Sequence, residues 1–359
     1  MNSLNRKVPI KNVLYMYSYI WNEAQFFDFT DLNCKDDFDS INILSELFII
    51  NMHNIIKRGF YKEYINNVDE IRGIKGKILI KDSIKNLQFH KSSLICEYDE
   101  FSENNLINQI LRTTAFKLYR TDGLNDINKK RINNILSYYN KVSIIDIDKH
   151  TFEIKFNKNN KYMLNIIRIC ELINNSLMLS EDNGKYRFIN VLDDDKKMQA
   201  IFEMFICKFY DIELHSIYNV KGQQRLNWNL LDGKQEILPE MRMDTVLEGK
   251  CNNKIIIIDT KYYPDFMKQG YYSGDDKKSL ISGNLYQMNA YMNNINTQKE
   301  LLGMLLYPMP YNENEISEKY SIDVVSNGQV KKAILQIQTV NLSNDWRMIK
   351  KELLEIVNN

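Results

Sequence analysis

The chain has 359 residues, 44% of them hydrophobic and 26% charged, with a formal net charge of +1. That is long enough for two or three domains with a sizeable core, in the composition range of globular proteins. The near-zero charge excludes an overall basic field, so a nucleic-acid surface has to be local or supplied by a partner.

The first 21 residues are too interrupted by polar and charged side chains for a signal peptide, and no window holds the ~18 apolar residues of a membrane span. The five cysteines, Cys34, Cys96, Cys170, Cys207 and Cys251, form no CxxC pair and are odd in number. They read as reduced thiols of a cytoplasmic protein. The four histidines, His53, His90, His150 and His215, have no metal-ligand spacing. No GxxxxGK[ST] loop occurs, so nucleotide hydrolysis by that route is excluded.

Taken in order, residues 8–21 start extended, because Pro9 keeps Val8 out of the helical region. They continue as a helix with Leu14, Tyr17 and Trp21 on one stripe. The acidic, polar stretch 31–40 reads as a loop. Residues 42–59 form an amphipathic helix stopped by Lys57-Arg58-Gly59. Helical periodicity then disappears until Asn104. Short β-prone runs lie between, at 60–65, 69–78 and 94–100, broken by Gly73 and Gly76. This predicts a β-rich projection near 60–99. Arg72, Lys75 and Lys77 are concentrated at its break and are candidates for contact with a partner, since lysine and arginine resist burial.

A helix capped by Asn104 is predicted over 104–119, helix with a strand-like end at 142–147 over 125–150, and a helix over 162–179. The polar run Asn157–Asn160 marks a domain boundary, giving an N-terminal region 1–157 and a C-terminal domain 158–359. Residues 181–185 read as a turn. Residues 196–210 form an amphipathic helix that carries Glu203. Strands, the polar loop 262–278, a helix over 279–293, strands at 301–308, 322–325 and 333–340, and a last helix complete the chain. The order is that of an α+β or α/β domain, a mixed sheet flanked by helices.

Within that domain, Ile237–Tyr263 reads ILPEMRMDTVLEGKCNNKIIIIDTKYY. Two apolar runs flank Gly249-Lys250-Cys251-Asn252-Asn253, the pattern of a β-hairpin. An axis between Cys251 and Asn252 sets Asp244 opposite Asp259. Lys261, two residues on, shares the face of Asp259. Two carboxylates and a lysine on one sheet face suit a Mg²⁺ ion that activates water and neutralises phosphate. An Asp-x-Lys match alone is common. Here four isoleucines, the mark of a strand buried on both faces, run straight into charge, and unpaired buried charge is costly. Pro239-Glu240, Asp244 and Asp259-Thr260-Lys261 follow the pattern of the PD-(D/E)xK nucleases. Glu240 and Asp244 both qualify for the first carboxylate; the hairpin register favours Asp244.

With these stretches in view, the chain resembles the McrC family, nuclease subunits of McrBC 5-methylcytosine-specific restriction systems. The resemblance covers most of the length. It rests on VPIKNVLYMYSYIW, KRGFYKEYI, IRGIKGKI and CEYDEFSENNLIN at the front, and on IFEMF, LPEMRMDTVL, IIIIDTKYY, SGNLYQMNAYM and GMLLYP at the back. It implies catalytic carboxylates at Asp244 and Asp259, the lysine at Lys261, the Q-x-x-x-Y pair at Gln287 and Tyr291, and the helix glutamate at Glu203. It also implies Mg²⁺ held by Asp244, Asp259 and the Thr260 carbonyl. The partner implied is a McrB-like, GTP-hydrolysing AAA+ ring that engages the N-terminal half and recognises modified DNA. A non-catalytic adaptor of such a motor and a DNA-repair nuclease of the same fold are the alternative readings.

Overall fold

The computed structural model describes residues 8–22, 39–85, 92–148, 150–180, 185–189, 194–228, 234–263, 267–269, 278–310, 314–326 and 328–358. The loops read at 31–40, 181–185 and 262–278 lie largely outside them, as do Cys34 and His90. The chain divides into two compact units, Met1–Phe38 with Asn190–Asn359, and Asp39–Ile189. The single boundary expected at 157/158 is replaced by divisions at 38/39 and 189/190. Asn157 and Asn160 close a local turn through their own side chains, Asn157 N–H donating to Asn160 Oδ1 at 2.7 Å, so the polar run is no linker.

Helix α1 (Ile10–Ile20) starts after Pro9, whose ψ of 138° is still extended. Its buried side is Ile10, Val13, Leu14, Met16 and Tyr19. Tyr17 and Trp21 are only half-buried, so the stripe expected through them is rotated.

The Asp39–Ile189 unit begins with α2 (Ser40–Arg58). The Asp39 carboxylate caps it by accepting the Asn42 N–H, and Gly59 ends it at φ +91°. Strands β1 (Glu63–Ile71) and β2 (Lys77–Ile78), helix α3 (Ile80–Lys85) and strand β3 (Leu94–Ser102) follow. The strands form an antiparallel sheet in the order β1-β3-β2. Gly76 lies at φ +67°, and a Cβ there would run into the Glu97 carbonyl. Then come α4 (Leu106–Tyr119), α5 (Asp126–Tyr138), α6 (Leu164–Asn175), β4 (Leu177–Leu179) and β5 (Tyr186–Phe188). The cap of α4 is Asn105 instead of Asn104, and α6 stops four residues before the expected end. The strand expected at 142–147 does not form. Side chains hold its backbone, with Ser143 N–H on Asn104 Oδ1 and Ile145 N–H on Thr113 Oγ1.

The other unit continues with α7 (Asp195–Glu213), β6 (Tyr218–Leu226), β7 (Met241–Gly249), β8 (Lys254–Thr260), β9 (Met267–Gln269), β10 (Lys278–Leu280), α8 (Ser282–Asn294), β11 (Glu300–Pro308), β12 (Ser317–Ser326), β13 (Gln329–Val340) and α9 (Trp346–Asn358). Six strands form one sheet in the order β12-β13-β11-β8-β7-β6. The β8–β11 and β11–β13 pairs are parallel and the rest antiparallel, so the sheet is mixed. Helix α7 packs on β6, β7 and β8, α8 on β11 and β12, and α9 on β13. The fold class is therefore α+β, with a mixed sheet flanked by helices. Ile255–Ile258 sit in the central strand, 0–7% exposed, as expected for a strand covered on both faces.

Candidate active site at the end of the central strand

The β7–β8 hairpin pairs Thr245 with Ile258, Val246 with Ile257 and Leu247 with Ile256. This is the register set by an axis between Cys251 and Asn252, and the next position along it brings Asp244 to Asp259. The main-chain ladder stops there. Asp244 replaces it with its side chain, Oδ2 accepting the Thr260 N–H at 2.9 Å and the Thr260 hydroxyl at 3.1 Å. Asp259 is fully buried. Lys261 Nζ lies 2.8 Å from its Oδ2 as an ion pair, and the other oxygen, Oδ1, has no hydrogen-bond partner.

Electrostatics follow from this burial. Desolvation raises the Asp259 carboxyl to about 6; Lys261 opposes the rise and Asp244 adds to it. Desolvation also raises Asp244, against the Thr260 hydrogen bonds and Lys261. Burial alone would lower Lys261, yet Asp259 and Asp244 outweigh it and hold the ammonium above the usual lysine range. Glu203, half-buried on α7, is pushed to about 7, first by burial and then by Asp244. Arg242 and Lys261 act on it in the other direction. These residues thus form one electrostatic group. A pocket of about 210 Å³ opens beside it, lined by Glu203, Asp244, Gln223, Gly222, Met204 and Cys207 among others.

Gln287 and Tyr291 of α8 come together as expected. Gln287 Nε2 donates to Tyr291 Oη at 2.6 Å, and that hydroxyl donates to the Arg242 carbonyl at 2.8 Å. The pair therefore anchors β7 just before Asp244. Glu240 does not join the group. It points to solvent and pairs with Arg225 Nε at 2.7 Å, so of the two candidates only Asp244 stands beside Asp259. Arg72, Lys75 and Lys77 belong to the Asp39–Ile189 unit. Arg72 is exposed, Lys75 Nζ sits 3.7 Å over the Tyr98 ring, and Lys77 pairs with Glu97 at 3.3 Å. The break is less uniformly basic than expected, since Asp69, Glu70, Glu97, Asp99 and Glu100 share the same three strands.

Two residues at the site carried almost no signal of function in the sequence. Gln223 of β6 has φ +54°, and the β6–β7 pairing skips it, Gly222 facing Thr245 and Gln224 facing Met243. It stands at the ladder position of Asp244. Left-handed backbone at a non-glycine residue costs of order 1–3 kcal/mol and gathers at functional sites. Gln199 of α7, one turn before Glu203, donates from Nε2 to the Thr260 carbonyl at 2.9 Å and accepts the Tyr262 N–H. Its spacing of four from Glu203 was the one available hint.

Among the described residues no group of three or more His, Cys, Asp or Glu side chains gathers as a metal cluster. A buried carboxylate with an unpartnered oxygen, a half-buried second carboxylate and a strand carbonyl nevertheless fit Mg²⁺, which takes one or two carboxylates and keeps water for its other positions. No helix among the described residues is long and apolar enough to cross a membrane.

The site can be set against known proteins. The Escherichia coli (strain K12) protein "Type IV methyl-directed restriction enzyme EcoKMcrBC" is 25% identical over 355 residues, 97% of both chains. A chain from a half-complex of the tetradecameric assembly of Thermococcus gammatolerans McrB AAA+ hexamers with bound McrC superposes with a TM-score of 0.58. That likeness, at 15% identity over 97% of this chain and 76% of the other, is one of fold. Residues 5–308 match the family described as McrBC 5-methylcytosine restriction system component. The match spans most of the chain, which therefore belongs to that family.

Proposed function

We propose that this chain is a Mg²⁺-dependent, PD-(D/E)xK-type DNA endonuclease subunit of a modification-dependent restriction system. The observation that carries this reading is the fully buried Asp259, ion-paired to Lys261 through one oxygen with the other unpartnered, beside Asp244 at the end of the central strand. Asp244, Asp259 and the Thr260 carbonyl would hold the ion. When bound, Mg²⁺ neutralises the scissile phosphate and makes its water more acidic. Lys261 keeps a positive charge beside the reacting phosphoryl group, where charge grows in the transition state. Glu203, pushed to about 7, is matched to taking up a proton at neutral pH. Gln287, through Tyr291, holds the start of β7 and so the placement of Asp244.

The partner in this reading is a GTP-hydrolysing AAA+ ring that the chain stimulates, and the setting is cytoplasmic defence against invading DNA. A solved structure of this fold is described as McrB AAA+ hexamers with bound McrC, and this chain has no P-loop of its own. The sheet β1-β3-β2, with Arg72, Lys75 and Lys77 at its turn, is the proposed contact.

A plasmid-nicking assay tests the reading. This chain with its AAA+ partner, GTP and Mg²⁺ is expected to cut methylated plasmid and to stop when EDTA is added. Partner stimulation with no cleavage in Mg²⁺ would mark the chain as an adaptor and overturn the nuclease assignment.

A further inference from the structure

The edge of β8 that faces β7 loses its main-chain partner after Ile258. Three backbone groups beyond that point still need partners: the N–H and carbonyl of Thr260 and the N–H of Tyr262. A buried strand edge left unpaired is costly, since each orphaned polar group carries its desolvation penalty. Here side chains complete the edge. Asp244 takes the Thr260 N–H. Gln199 takes the other two, Nε2 on the Thr260 carbonyl and Oε1 on the Tyr262 N–H.

A primary amide offers one carbonyl and one N–H side by side, as a peptide group does. Gln199 therefore stands in for a strand residue. The two groups it binds flank Lys261, whose own N–H is fixed from the other edge by the Leu306 carbonyl of β11 at 3.0 Å. Gln199 also shares the helix face of Glu203, four residues on. One side chain thus ties the helix that carries Glu203 to the strand that carries Asp259 and Lys261.

We infer that Gln199 is a positioning residue for DNA cleavage, a surrogate strand partner that sets the direction of Lys261 and of the Thr260 carbonyl; the inference rests on the nuclease reading above. It acts through the backbone and touches no reacting atom. Its amide occupies one lone pair of the Thr260 carbonyl and orients the other. Losing it removes the ties on the Thr260 carbonyl and the Tyr262 N–H while leaving the sheet below intact.

The test uses the full chain with its AAA+ partner and GTP. Gln199→Met keeps the length and removes both hydrogen bonds. Gln199→Glu keeps the acceptor for Tyr262 but turns a charged oxygen toward the Thr260 carbonyl. Both variants are expected to lower the single-turnover cleavage rate about 10- to 100-fold, the range for small misplacements of reacting groups. The KM for DNA and the stimulation of the partner's GTP hydrolysis should stay at wild-type values. The Mg²⁺ concentration for half-maximal rate should rise, and amide exchange at Tyr262 in the metal-free chain should quicken. Wild-type cleavage and Mg²⁺ requirement in both variants, or a rate loss matched by lost folded protein, would overturn the inference. Asp259→Ala run in parallel separates the two levels. If wild type does not cut, or Asp259→Ala cuts equally well, the nuclease reading falls. If wild type cuts, Asp259→Ala does not and Gln199→Met cuts like wild type, only the role of Gln199 falls.

Discussion

Two lysine–carboxylate pairs, one in each unit, use the same chemistry to different ends. Lys77 and Glu97 face each other across β2 and β3 at 3.3 Å, with side chains 75% and 33% exposed. Lys261 and Asp259 lie 2.8 Å apart, 13% and 0% exposed. Water screens the first pair, and pairs of that kind contribute about 0–1 kcal/mol. The second has lost its water. Removing a charge from solvent costs several kcal/mol per ion, about as much as a neighbouring charge returns. Asp244 adds a second carboxylate that raises Asp259 further, and Asp259 Oδ1 has no hydrogen-bond partner. The fold tolerates this arrangement at the centre of its main sheet, where isoleucines fill the four preceding positions. Stability does not call for such a group; the proposed cation site does.

The largest effect that separates the two regions is on cleavage. Asp259→Ala and Lys261→Ala should each lower the DNA cleavage rate of the complex by ~10³-fold or more, as loss of a group acting in the transition state does. Lys77→Ala should cut within a few-fold of wild type. Equal rates in all three variants would dissolve the contrast.

Partner engagement runs the other way. Charge reversal at Arg72, Lys75 and Lys77 together should leave the fold intact, because all three are surface residues, and abolish stimulation of the partner's GTP hydrolysis. A triple variant that stimulates like wild type would remove β1-β3-β2 as the contact.

Stability gives the smaller effect. Asp259 has a folded-state value of about 6, above the ordinary aspartate value. The folded state therefore binds more protons than the unfolded state between about pH 4 and pH 6. Stability falls as pH rises through that window, and at pH 7 the ionised Asp259 is a net cost. Asp259→Asn should raise unfolding stability at pH 7 by about 1–3 kcal/mol. The two proteins should converge below about pH 4. A destabilised Asn variant at pH 7 would mean that the ion pair holds the fold together. Glu97→Gln in the exposed pair should stay within about 0.5 kcal/mol of wild type at either pH.

The hairpin was legible because its signals are local. A Gly/Asn turn fixes the axis, and the period of two then fixes which residues meet, so Asp244 and Asp259 could be paired by counting. Neighbouring β6 was not legible. YNVKGQQRL is polar because β6 is the sheet's edge strand, and an edge strand has little apolar face to show. Residues 142–147 misled in the opposite sense. Val142, Ile144 and Ile145 suit a strand, but Asn104 and Thr113 satisfy that backbone and no ladder forms. Gln199 carries only a spacing of four from Glu203, and Gln223 no pattern at all. One looks like any amphipathic-helix glutamine, and the other owes its place to a φ that sequence does not encode. The polar run at 157–160 resembled a linker because a turn held by asparagine side chains has the same composition as one.

In the proposed reading, the buried charge at the end of β8 is kept for a cation. Thermal unfolding of wild type and Asp259→Asn, each titrated with Mg²⁺ at pH 7, tests it without reference to cleavage. A ligand that binds only the folded state stabilises by about 2.7 kcal/mol at a hundred times its Kd. Wild type should gain stability with Mg²⁺ until it meets or passes the Asn variant, which should not respond. Equal response in both proteins, or none in wild type at millimolar Mg²⁺, would contradict the claim.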